Sequence, residues 1–248
     1  MKKLKGTYGE CRFCDNMDPD EGLPSLTEKS WDLCLTDPPY NVNAKPHSQA
    51  KHKLTHDIGY NDNIVNWDEF NYNWFNNIIR IVKGLIFTPG NINLKWWFEH
   101  TNPRDILIHY KKNGAGYTSM VMQNRFDSLL VFGQFNRRFM NNVYECSLDN
   151  GFLRLPMDLI HPHPKSIKLW FEIIKDALPT SVIDPFLGSG TTAEVCESLG
   201  IPWLGYEIME EYAVDIDKRI TQGQTKYAEI HFKPPTTQKT MDCFGRES

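Results

Sequence analysis

The sequence predicts an α/β fold built on a mostly parallel, doubly wound sheet, and three observations carry that prediction. The first is a short apolar run, Trp31-Asp32-Leu33-Cys34-Leu35, which ends in Thr36-Asp37-Pro38-Pro39-Tyr40. Buried parallel strands read as such runs rather than as strict alternations. The second is the span 182–207, which reads strand, glycine turn, helix, strand, acid. The third is the succession of helix-period and strand-like segments between them, the pattern of a sheet covered on both faces. Open α/β sheets hold ligands beyond the carboxyl ends of their strands. Both stretches place their polar chemistry there.

The totals set bounds. A chain of 248 residues supports one substantial core, with at most a small appended lobe. Hydrophobic content of 40% and charged content of 23% are those of an ordinary globular protein. No run of about 18 apolar residues occurs, so no transmembrane helix is expected. The start, Met1-Lys2-Lys3-Leu4-Lys5-Gly6, is basic but leads into no apolar segment, so no secretory signal is expected and the cytoplasm is the default location. A net charge of −4 argues against a protein that coats nucleic acid non-specifically, and leaves room for a local basic groove. Of the six cysteines only Cys11 and Cys14 are closely spaced. A structural zinc site takes four ligands, usually as two such pairs. His161 and His163 are the other candidates, and reduced cysteines without metal are expected.

In chain order, the first 30 residues are polar and turn-rich, with Asp18-Pro19-Asp20-Glu21-Gly22 a strong turn signal. A strand follows at 31–36. Residues 41–66 read as a long mobile loop carrying Lys45, Lys51 and Lys53 with His47, His52 and His56. That loop is either a solvated connection or a lid over a polyanion. The spacing of Trp67, Phe70, Trp74, Phe75, Ile78, Ile79 and Val82 predicts an amphipathic helix over 67–83, stopped by Gly84, with a strand at 85–88. A helix over 91–100 carries Trp96 and Trp97, which are read as core rather than as base-stacking groups. Strands are expected at 105–110 and 128–132. Lys111, Lys112, Arg125, Arg137 and Arg138, with Asn141 and Asn142 nearby, supply both phosphate-type and base-edge-type donors, so this span is read as a nucleic-acid face.

The second anchor is sharper. Val182-Ile183-Asp184 ends a strand, and Pro185-Phe186-Leu187-Gly188-Ser189-Gly190-Thr191-Thr192 leads into a helix that Gly200 caps. Trp203 to Tyr206 is a strand and Glu207 stands at its end. Glycines let backbone approach a ligand, and an acid at that position binds ribose hydroxyls. The turn lacks the full G-x-G-x-x-G of dinucleotide binders, so a nucleoside cofactor without pyrophosphate fits better. In Asp37-Pro38-Pro39-Tyr40 the prolines lock φ and donate no hydrogen bond, which leaves carbonyls free to accept. An acceptor and a flat ring held together suit a planar group bearing an NH₂.

Asp-Pro-Pro-Tyr at 37–40 together with Asp-Pro-Phe-x-Gly-x-Gly-Thr-Thr at 184–192 resembles the S-adenosylmethionine-dependent DNA amino-methyltransferases. The order, catalytic element first and cofactor element last, resembles the permuted β group. His161-Pro162-His163-Pro164-Lys165 resembles the segment before the cofactor strand, with Ser166 where the family has a second proline. Arg125-Phe126-Asp127 resembles the strand that follows the recognition insert. The likeness spans roughly residues 9–220, and the last 28 residues, from Thr221, match nothing.

The resemblance implies a Rossmann-like methyltransferase fold, circularly permuted, with a small recognition insert. Residues 1–248 would form one catalytic domain, with 41–66 facing DNA and 111–160 containing a short target-recognition region. S-adenosyl-L-methionine is the implied cofactor. Asp184, Pro185, Phe186, Gly188, Ser189 and Gly190 would line its methionine part, with Asp37, His163 and Lys165 closing that pocket. Thr191 and Thr192 would open the helix that meets its carboxylate, and Glu207 would take the ribose. Glu10 and Asp15 compete for the adenine, with Asp15 preferred by its distance from Asp37. Asp37, Pro38, Pro39 and Tyr40 would be catalytic, gripping the amine of a base flipped out of double-stranded DNA. Lys45, Lys51, Lys53, Lys111, Lys112, Arg125, Arg137 and Arg138 would contact that DNA. Asp at the first motif position favours adenine N6 over cytosine N4. The further partners are a second copy of the chain (a homodimer) and a cognate restriction endonuclease, with no membrane. A glutamine methyltransferase is disfavoured by Asp37 and by the motif order. A DNA- or cofactor-binding relative without turnover is disfavoured by the intact Asp37, Tyr40 and Glu207.

Overall fold

The computed structural model describes residues 1–42, 64–111, 125–146 and 165–232. Their strands are β1 (Lys2–Lys5), β2 (Gly9–Phe13), β3 (Trp31–Thr36), β4 (Val82–Phe87), β5 (Asp105–Tyr110), β6 (Phe126–Gly133), β7 (Val143–Glu145), β8 (Val182–Asp184) and β9 (Trp203–Glu207). They form one sheet in the order β1-β2-β9-β8-β3-β4-β6-β5-β7. Only β1 and β6 run against the rest. Five helices cover it: α1 (Trp67–Ile81), α2 (Leu94–His100), α3 (Ile167–Ala177), α4 (Thr191–Leu199) and α5 (Ala213–Phe232). This is the α/β Rossmann-like architecture expected.

The central strands are buried on both faces because each sends alternate residues into different cores. Leu33, Leu35, Leu129 and Val131 pack with Ile167, Trp170 and Ile174 of α3, Val195 of α4 and Ile216 of α5. Cys34, Leu130, Phe132 and Phe87 pack with Trp74 and Ile78 of α1 and Trp97 of α2. Trp97 is buried against Phe87, with ring centroids 4.7 Å apart, and Trp96 stacks on His100. Both tryptophans thus serve packing, as expected.

Three elements depart from the sequence reading. The polar first 30 residues hold β1 and β2. Only Cys11 and Phe13 of β2 point into the core, too sparse a pattern to reveal a strand before its partner β9 is known. β7 likewise buries only Tyr144. Gly84 does not stop α1. The helix ends at Ile81, and Gly84 lies inside β4, where a Cβ would sit 2.7 Å from the Phe135 ring and 2.8 Å from the Gln134 carbonyl oxygen. Its role is close approach, not termination. Ser166, the departure from the family's proline, caps α3, its hydroxyl accepting from the Leu169 amide at 3.3 Å.

Candidate active site

β3 and β8 are paired neighbours, with Leu33 opposite Val182 and Cys34 opposite Ile183. Their next residues therefore emerge side by side at the carboxyl edge. Thr36 closes the seam by donating its hydroxyl to Asp184 Oδ1 at 2.5 Å. The Phe186 amide donates to the same oxygen at 3.0 Å, and Thr192 Oγ1 donates to Oδ2 at 2.5 Å. The Trp170 indole in turn donates to Thr192 Oγ1 at 2.9 Å. Burial pushes the Asp184 carboxyl up to about 6, against the pull of these donors. Asp184 and the Thr192 hydroxyl are therefore turned inward, tying β3, the turn and α4 together. Both Asp184 oxygens accept from the chain's own donors, at the strand edge where the sequence places the cofactor.

The turn itself is held open from the sides. Asn16 Nδ2 donates to the Pro185 carbonyl at 2.9 Å, and the Leu187 amide donates to the Tyr206 carbonyl at 2.9 Å. The Phe186 ring leans on Phe70 and Trp74 of α1. Gly190 adopts φ 87°, and a Cβ there would stand 3.1 Å from the backbone of Ile216. Across the turn, Glu207 accepts from the Gly188 amide at 2.9 Å and the Met209 amide at 2.8 Å, one on each oxygen. Each oxygen keeps a lone pair for a ligand hydroxyl. Burial pushes the Glu207 carboxyl up to about 7, outweighing the amides. Asp15 follows β2, whose Phe13 lies opposite Glu207, so Asp15 stands at this same edge. Glu10, the competing acid, sits mid-strand and pairs with Arg12 at 2.8 Å and Lys3 at 3.4 Å.

Beyond β3, Asp37 is fixed from three sides. Its Oδ1 accepts from the Tyr40 hydroxyl and the Thr88 hydroxyl, and lies 2.9 Å from Lys165 Nζ. Lys165 also donates to the Tyr40 hydroxyl at 2.9 Å, with its ammonium 5.2 Å from that ring's centre. Burial works against the Lys165 charge, but Asp37, Tyr40 and Asp127 outweigh it and hold the ammonium protonated. Burial and the neighbouring Asp37 push the Tyr40 hydroxyl well above its ordinary value. Lys165 was expected to close the methionine pocket. It is held by Asp37 and Tyr40, which the sequence reading places at the same site.

The segment after β4 completes the arrangement and was not anticipated as part of it. Thr88 holds Asp37, and Asn93 Nδ2 donates to the carbonyls of Tyr40 at 2.9 Å and Pro89 at 3.2 Å. Gly90 adopts φ 70°, and a Cβ there would stand 2.9 Å from Tyr40 Cγ. The available signal was positional: a Thr-Pro-Gly turn following a strand that neighbours β3. Gly90→Ala is expected to cost about 1–3 kcal/mol in backbone strain and to displace the Tyr40 ring. Denaturant unfolding and tyrosine fluorescence check both, and an unchanged midpoint would contradict it.

Of the expected DNA contacts, Arg125 is exposed at the carboxyl edge, beside Phe126, whose carbonyl accepts from Asn91. Lys111 is at the same edge but pairs with Asp127 at 2.7 Å. Arg137 and Arg138 are not brought to the site. They follow Gly133, which pairs with Gly84 at the opposite, amino end of the parallel strands, and Arg137 binds Asp176 there at 3.2 Å. The antiparallel direction of β6 carries them away. Lys45, Lys51, Lys53, Lys112 and His163 lie outside the described residues.

A family model described as a DNA methylase, covering N6 and N4 enzymes, matches residues 107–218. The chain is 27% identical over 228 residues to the Type II methyltransferase M.HpaI of Haemophilus parainfluenzae, covering 77% of this chain and 68% of that one. It is 25% identical over 262 residues to the Type II methyltransferase M.HinfI of Haemophilus influenzae, covering 87% and 71%. Over most of its length the chain is similar to DNA amino-methyltransferases. Solved methyltransferases share this fold. The PvuII DNA methyltransferase (cytosine-N4-specific) superposes with a TM-score of 0.62 at 16% identity, covering 91% of this chain and 93% of that one. The M1.HpyAVI–SAM complex superposes with a TM-score of 0.59 at 17% identity, covering 86% and 98%. Among the described residues, no helix is long and apolar enough to cross a membrane.

Proposed function

We propose that this protein is an S-adenosylmethionine-dependent methyltransferase that acts on the N6 amine of an adenine flipped out of double-stranded DNA. The observation that supports it best is the meeting, at one sheet edge, of an acceptor and ring with a glycine turn and acid. Asp37 and Tyr40 leave β3, the turn 185–190 leaves β8, and the Thr36–Asp184 bond ties the two.

The residues at that edge fit the cofactor. Glu207 offers lone pairs to ribose hydroxyls, and Asp15 stands beyond it for the adenine. Phe186, Gly188, Ser189 and Gly190 line the methionine part, and the start of α4 at Thr191 faces its carboxylate. When bound, S-adenosylmethionine supplies a methyl group on a sulfonium. The protein's work is done on the base. The amine is a poor nucleophile because its lone pair is delocalised into the ring. Asp37 accepts one N–H and the Pro38 carbonyl the other, which draws the nitrogen toward tetrahedral geometry and frees the lone pair. Tyr40 stacks on the ring, and Pro39 keeps the element rigid. Positioning and electrostatics carry the rate, without a covalent enzyme intermediate.

A paired base hides its amine, so the target leaves the duplex first. We read 41–66 and 111–160 as the DNA-facing parts of one catalytic domain, because Val42, Lys111, Arg125, Cys146 and Lys165 all stand at the carboxyl edge. The motif order supports the permuted β arrangement. The Type II names of the relatives support pairing with a restriction endonuclease, and the short insert supports help from a second copy. Adenine is favoured over cytosine by Asp37. Sequencing DNA modified by the protein, with chemistry that separates N6-methyladenine from N4-methylcytosine, tests this. N4-methylcytosine alone would overturn the choice of base, and no transferred radiolabelled methyl would favour a non-catalytic relative.

Glu207 makes this reading pH-dependent. Its carboxyl is raised from 4.5 to about 7, so the free fold takes up a proton that the unfolded chain releases. Stability from this group is therefore present below about 4.5 and lost as pH rises through 7. Ribose binding favours the ionised form and runs the other way. Cofactor affinity is expected to fall by up to about tenfold per pH unit below 7, and Glu207→Gln is expected to flatten that slope. Titration calorimetry at pH 6, 7 and 8 measures it.

A further inference from the structure

The three donors on Asp37 Oδ1 are not equivalent. Tyr40 and Thr88 present hydroxyls, which can turn and accept a hydrogen bond. Lys165 presents an ammonium, which has protons and no lone pair. Lys165 alone therefore demands an oxygen at the position of Oδ1, and its second contact, 2.9 Å to the Tyr40 hydroxyl, keeps it there. We propose that Lys165 is a positioning residue that reserves the other oxygen, Oδ2, for the amine of the target base. The inference rests on the reading of Asp37 as the amine acceptor.

The assignment has an unusual consequence for the isosteric amide. In Asp37→Asn the carbonyl oxygen must face Lys165, and the NH₂ must then face the substrate. A donor meets a donor, and the amine loses its acceptor. With the lysine removed, the hydroxyls of Thr88 and Tyr40 can accept from the NH₂ instead. The amide is then free to turn its carbonyl toward the base. Lys165 should therefore help the wild-type carboxylate and harm the asparagine variant.

The test is a double-mutant cycle read by single-turnover methyl transfer at saturating DNA and S-adenosylmethionine. Lys165→Met is expected to slow the wild-type protein by about 10–100-fold, the scale of a misplaced catalytic group. The same change in the Asp37→Asn background is expected to raise the rate about tenfold or more. Asp37→Ala with Lys165→Met is the control, since loss of a positive charge beside the sulfonium would help that background as well. The inference is overturned if Lys165→Met slows or leaves unchanged the Asn variant, or if it speeds the Ala variant equally. Lys165→Gln is a second variant expected to give the same reversal of sign. If Asp37→Ala itself keeps the wild-type rate, the failure lies with the role given to Asp37.

Discussion

Asp37→Ala is expected to lower methyl transfer by about 10³-fold or more, while cofactor affinity stays within about threefold of wild type. The size follows from removing a preoriented acceptor aimed at charge that develops in the transition state, worth roughly 3–4 kcal/mol in comparable sites. The alanine also frees Tyr40 and Lys165, which both lean on the lost carboxylate. The cofactor cradle is anchored separately. Glu207 is bound to the Gly188 and Met209 amides, and Asp184 is bound to Thr36 and Thr192, with no bond passing through Asp37. Asp37 is only partly buried, so the site can admit water without a cavity cost to the core. Single-turnover kinetics with tritiated cofactor and calorimetry on the same variant give the two numbers. Wild-type turnover, or a matched collapse of cofactor affinity, would sink the assignment.

Glu197→Ala is expected to be the most damaging change for stability, by about 3–5 kcal/mol. Glu197 is fully buried on α4, on the side of the sheet away from the ligand edge. It accepts from the Thr7 amide at 3.1 Å, the Tyr8 amide at 2.9 Å and the Trp203 indole at 2.8 Å. These bonds tie the β1–β2 turn and the start of β9 to one helix. Truncation strands three donors at once, and each unsatisfied buried group costs about 1–3 kcal/mol. Gly6 has evidently been fitted to the same carboxylate, since a Cβ there would fall 2.1 Å from Glu197 Oε1. Urea unfolding should show a lower midpoint with an unchanged slope. Glu197→Gln, which keeps an acceptor, should lose less. A loss below about 1 kcal/mol for the alanine would show that water replaces the carboxylate.

Some residues could be read directly because their chemistry is local. Asp37-Pro38-Pro39-Tyr40 is rigid by its own covalent structure, and the turn 185–190 requires glycine where φ is positive. Strands such as Leu129 to Phe132 were legible from composition, since a strand buried on both faces must be apolar throughout. β2 and β7 were not, because each has few inward residues and exists only through its neighbour. The same limit misplaced Arg137 and Arg138. Their charge was visible, but the direction of β6, which sends them to the far end of the sheet, was not.

The sharpest revision concerns the residues around Asp37. Sequence alone determined that an acceptor, a ring, a glycine turn and an acid would occupy strand ends, because strand propensity, proline and glycine act over a few residues. Only the tertiary structure decided that Thr88, 51 residues on, and Lys165, paired with Tyr40 across 125 residues, would converge on Asp37, and that Asp184 would turn inward. Such partners are chosen by sheet order, which places β4 beside β3 and brings the start of α3 to the same edge. A hydrogen bond of under 3 Å depends on that placement and leaves no mark on the local sequence.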